Sequence, residues 1–129
     1  MRALWLIVAG CAALSIAAAD DTPSSVAKFN QTMDASMARM MRAMHDAPQS
    51  HDPDRDFLAM MIPHHQGAVD MARLVLVYGR DPLVRRLAEE IIASQQAEIA
   101  AMRARLAILE RGADPAPGGF PALHGTRGE

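Results

Sequence analysis

Asp52-Pro53-Asp54-Arg55-Asp56-Phe57-Leu58-Ala59-Met60-Met61-Ile62-Pro63-His64-His65-Gln66-Gly67-Ala68-Val69-Asp70-Met71-Ala72-Arg73-Leu74-Val75-Leu76-Val77-Tyr78-Gly79 is the stretch on which the fold turns. Asp52 and Pro53 read as cap and first residue of a helix. An aspartate there accepts from amide groups that lack helical partners, and proline gives up an N–H that would have had none. Asp54 and Asp56 suit the positive end of the helix dipole. Phe57, Met60, Met61, His64, Ala68, Met71, Ala72, Val75 and Tyr78 then recur on one face at helical spacing, and Gly79 is a stop. Pro63 removes one hydrogen bond from the interior, which predicts a kink just before His64-His65.

The same grammar extends outward. Asp81-Pro82 repeats the cap and proline, opening a helix that runs to Arg111 and stops at Gly112. Upstream, a Ser or Thr cap in Thr22-Pro23-Ser24-Ser25 opens a helix that ends near His45, and Gln49 to Pro53 closes the turn. There is no internal repeat and no strand-like alternation. The expectation is an all-α protein: an antiparallel bundle of three long helices over residues 22–112, followed by a disordered Gly- and Pro-rich tail over 113–129. His124, in that tail, is a bystander.

At the other end, Arg2 precedes an apolar run from Ala3 to Ala19 that closes on Ala17-Ala18-Ala19 before Asp20-Asp21. These are the marks of a cleavable secretory signal, residues 1–19. The run is slightly short for a membrane span, which needs roughly 20 apolar residues. Cleavage after Ala19 is the expectation, with a periplasmic or secreted product. An uncleaved anchor is the second reading, while Val8-Ala9-Gly10-Cys11, which resembles a lipoprotein box for lipidation at Cys11, is discounted because the apolar run from Ala12 to Ala19 would be left exposed. Cys11 is the only cysteine, so the processed chain would hold neither a disulfide nor a thiolate ligand. Thirteen Lys and Arg stand against 15 Asp and Glu, and loss of Arg2 leaves 12 minus 15, a charge of −3. Nucleic acid as a partner is excluded on that balance, since its recognition needs a basic footprint. Ser24, Ser25, Ser36, Ser50 and Ser94 have no visible base arrangement, so neither an enzyme nor an organic cofactor is expected.

Methionine is the unusual residue. The chain has ten, against five aromatic residues of all kinds. Val26, Phe29, Met33, Met37, Met40 and Met44 share one arc of the first helix, and from Asn30 to His45 that arc holds methionine but no Leu, Ile or Val. An apolar stripe at this spacing is ordinarily core. Packing alone would favour Leu or Ile, however, whereas methionine is a gap filler or a soft ligand. Met41 and His45 widen the cluster. On the second helix His64 has Met60 and Met61 one turn before it, with His65 alongside. The third helix presents Val84, Leu87, Ile91, Met102, Leu106 and Leu109, with Gln95 and Glu98 inside the same arc. A carboxylate there needs a partner, and an inward histidine of the second helix is the obvious one. Such a pair either fixes the imidazole beside a metal or is a structural salt bridge. Thioether and imidazole without thiolate favour copper(I), or silver(I) as its mimic, over the oxygen-loving cations and over zinc.

Met60-Met61-Ile62-Pro63-His64-His65-Gln66-Gly67-Ala68-Val69-Asp70-Met71-Ala72, with Phe57 upstream and Gln95, Glu98-Ile99 and Met102 downstream, resembles the bacterial domain of unknown function 305 family over about Lys28 to Arg111. The resemblance implies a ferritin-like helical bundle in an exported protein, and some relatives are implicated in periplasmic copper binding. It implies Met61, His64, His65 and Met71 as candidate ligands. Met40, Met44 and His45 enter on the periodicity of the first helix, Met102 on the apolar face of the third, and Glu98 as the residue that orients a histidine. The function expected is copper(I) or silver(I) binding for sequestration or handover, with a copper-transport protein as partner. The alternative is a metal-free interaction protein whose methionine-lined groove accepts another helix. Three helices make a thin bundle, for which a homodimer is a further expectation.

Overall fold

The computed structural model describes residues 23–112 and Asp114. Three helices account for nearly all of them: α1 (Pro23–His45), α2 (Pro53–Tyr78) and α3 (Pro82–Glu110). Their bounds follow the signals in the sequence. Asp52 accepts from the amides of Asp54 and Arg55, and Asp81 from those of Leu83 and Val84 at 2.9 and 2.8 Å. Helix α2 runs unbroken through Pro63. Gly79 ends it in extended rather than left-handed conformation, its N–H bonded to the Val75 carbonyl at 2.7 Å. Glycine is needed for closeness: a Cβ at Gly79 would come within 2.6 Å of that carbonyl oxygen. The signal segment 1–19 and the Thr22 cap lie outside the described residues. So does the tail, apart from Asp114, which pairs with Arg105.

Short connections force antiparallel neighbours. The Phe29 and Tyr78 rings meet edge-on at 5.8 Å, and Met40 sits against Gly67, which fixes the register of α1 on α2. His65 against Glu98 does the same for α2 on α3. Helix α2 packs on both neighbours, while α1 and α3 meet at most at isolated points. The molecule is therefore a layer with α2 in the middle, not a closed triangle. Its buried hydrophobic side chains among the described residues are Val69, Ala72, Ala88 and Ile99, with Ser36 and Gly67 also enclosed. Among those residues no helix is long and apolar enough to cross a membrane.

The layer alters one expectation. Val26, Met37, Phe57, Met60, Val84 and Leu87, all on arcs assigned to the inside, stay between 37% and 56% exposed. The apolar arcs are wider than one neighbour can cover, and α2 is the only helix with two.

Candidate metal centre

The candidate ligands fall on the two seams of α2 and on the face between them. In the α2–α3 seam, His65 reaches Glu98 with Nε2 to Oε2 at 2.7 Å, and its Nδ1 lies 2.9 Å from the Met61 carbonyl oxygen. The imidazole is largely enclosed while the carboxylate is 54% exposed. Glu98 thus stands at the rim of the seam, not inside it, because α1 does not close over that side. Its partner is His65 and not His64. Both ring nitrogens of His65 are therefore engaged by oxygen atoms of the protein. The sequence suggested that a Glu98-held imidazole would offer its other nitrogen to a metal. In this arrangement the Met61 carbonyl has that nitrogen. Antiparallel register brings Met102 of α3 to the level of Met61, one turn from the pair, and both are half-buried.

The α1–α2 seam is built on Gly67. A Cβ there would lie 2.5 Å from both Cγ and Sδ of Met40, so the thioether rests directly on the α2 backbone. A glycine in mid-helix costs about 1 kcal/mol relative to alanine, which in the sequence is itself a signal of close packing. The same register carries half-buried Met44 to the level of Pro63 and His64. His45, at the end of α1, is exposed, and so is Met41.

Between the seams lies His64. At about 100° per residue, a helix that turns Gly67 to α1 and His65 to α3 directs Phe57, His64, Ala68, Met71 and Val75 to the face between them. The His64 ring meets that of His65 edge-on at 5.6 Å. Among the described residues its Nδ1 is buried with no hydrogen-bond partner, unlike either nitrogen of His65. Gln95 Oε1 is in the same condition. An enclosed polar atom without a partner is uncommon enough to point to a missing one. Met71 lines an apolar groove with Ala68 and Val75 of α2 and Val84, Leu87 and Ile91 of α3. Among the described residues no three His, Asp or Glu side chains gather as a metal site would require. The donors present around His64 are thioethers instead: Met60 and Met61 one turn before it, and Met44 at its level on α1.

A stretch of 58 residues, 45% of the chain, is 40% identical to Uncharacterized protein L153 of Acanthamoeba polyphaga mimivirus, and covers 38% of that protein's length. Residues 12–106, which contain α1, α2 and most of α3, match a broader family. On that match the chain belongs to the family described as Domain of unknown function (DUF305).

Proposed function

We propose that the protein binds copper(I), or silver(I) in its place, through His64 and the methionines around it, and that it sequesters the ion or passes it on in the periplasm. The observation that carries this reading is the enclosed, partnerless Nδ1 of His64, within a turn of thioether side chains. Imidazole and thioether form a soft donor set matched to a d10 monovalent ion, and the methionines carry no proton for the ion to displace. His64 would hold the ion together with Met44, Met60 or Met61. The ion supplies no chemistry beyond its own binding. His65 and Glu98 brace α2 against α3 and keep the adjacent His64 in place.

Competition for copper(I) against a chromogenic chelator tests the reading. The wild-type protein is expected to withdraw the ion, and His64→Ala to lose affinity by at least the roughly 10- to 100-fold seen when even an outer-sphere partner is removed. Affinity unchanged in His64→Ala would overturn it and leave the methionine-lined surface as a metal-free docking face.

A further inference from the structure

Among the described residues, the layer leaves one broad face without cover. Met37 and Met41 of α1, Phe57 and Met60 of α2, and Val84 and Leu87 of α3 are 37–59% exposed. Helical position puts them on the same side, the side toward which α2 turns His64, Met71 and Val75. At roughly 200 Å² for a large apolar side chain fully exposed, these six offer on the order of 600 Å² per chain. The groove floor of Met71, Val75 and Ile91 adds to it. The total approaches the about 800 Å² that each partner gives to a stable interface, and exceeds what monomers usually leave as one apolar patch.

We infer that this face is covered by a second copy of the chain, packed layer on layer into a six-helix bundle. Four observations select that occupant. Among the described residues the buried apolar set of one chain is two alanines, one valine and one isoleucine, too little to stabilise helices of 23 to 29 residues. A two-fold interface needs a patch complementary to itself, and this face is mostly apolar, its half-exposed carboxylate, Glu98 on the Leu87 stripe of α3, being already paired with His65. The chain's charge of −2 offers little repulsion between copies. Methionine, which adapts its shape, suits two identical surfaces that must interdigitate. The dimer closes over His64 from the side that α1 and α3 leave open, so each His64 lies in the interface. The inference stands independently of metal binding.

Sedimentation equilibrium of the purified, metal-free protein at micromolar concentration tests it. The expected result is twice the chain mass, falling to the chain mass in Phe57→Glu and Leu87→Glu with helical circular dichroism retained. Val77→Glu is the control: Val77 is 70% exposed but on the opposite side of α2, and its variant should stay dimeric. A wild-type monomer up to tens of micromolar would overturn the inference. So would dissociation by Val77→Glu as readily as by the face variants, or a monomer that floats with phospholipid vesicles, which would assign the face to a lipid surface. Copper(I) affinity retained in a monomeric face variant would separate the two proposals.

Discussion

At the scale of single residues, Gly67 and Glu98 make opposite kinds of demand. Gly67 is required by what touches it, because Met40 occupies the space of its missing side chain. Gly67→Ala gains about 1 kcal/mol of helix propensity but overpacks the seam, at a cost of about 1–3 kcal/mol. The net outcome is a lower melting temperature. In the Gly67→Ala/Met40→Ala double variant the clash is gone, so thermal melts of all four proteins should show a loss smaller than the sum of the single losses. Strict additivity would mean that Met40 does not press on Gly67. Glu98, by contrast, is half in solvent, and its bond to His65 is worth no more than about 1 kcal/mol. Glu98→Gln is therefore expected to lower stability slightly and to change copper(I) affinity far less than His64→Ala. A 10- to 100-fold loss of affinity, about what an orienting partner contributes to a true ligand, would show instead that His65 turns from the Met61 carbonyl to the ion.

At the scale of elements, the ends of the helices are held by groups from outside them. The last turn of α2 has no basic residue of its own. Arg85 of α3 supplies one, donating to the carbonyl oxygens of Leu76 at 2.6 Å and Gly79 at 3.0 Å. It thereby satisfies orphan acceptors and complements the negative helix end. At the other end, Oδ1 of Asp56 accepts from the amide and the hydroxyl of Ser50 at 2.6 and 2.7 Å, tying the α1–α2 turn to the first turn of α2. Those bonds hold the Asp56 carboxyl below its ordinary range, the Ser50 amide first and the hydroxyl next. A carboxyl depressed by folding stabilises the folded state above its unfolded pKa, and the benefit is lost as pH falls through the folded value. Asp56→Asn should thus be less stable than wild type near neutrality, with the gap closing from about pH 4 downward. Urea melts across that range check it, and a gap that stays constant would mean that the carboxylate charge is not what ties the turn.

At the scale of the whole molecule, the sequence by itself determined the number, bounds and order of the helices. Asp52-Pro53, Asp81-Pro82 and the stop at Gly79 act within a few residues of where they stand, so the bounds are legible without any distant contact. It also determined that a carboxylate of α3 would meet a histidine of α2, since Glu98 falls on the apolar arc of its helix, where a carboxylate needs a partner. What only the tertiary structure decided is which way each seam faces. An amphipathic arc states that a surface must be covered and does not state by what. That α2 takes both neighbours on nearly opposite sides, that His65 rather than His64 meets Glu98, and that Gly67 is a seat for Met40 all depend on the angle between packed helices. The same angle leaves His64 with a buried, partnerless nitrogen on an open apolar face. Periodicity has no means to specify it, because the angle is set by side chains of three helices fitting at once.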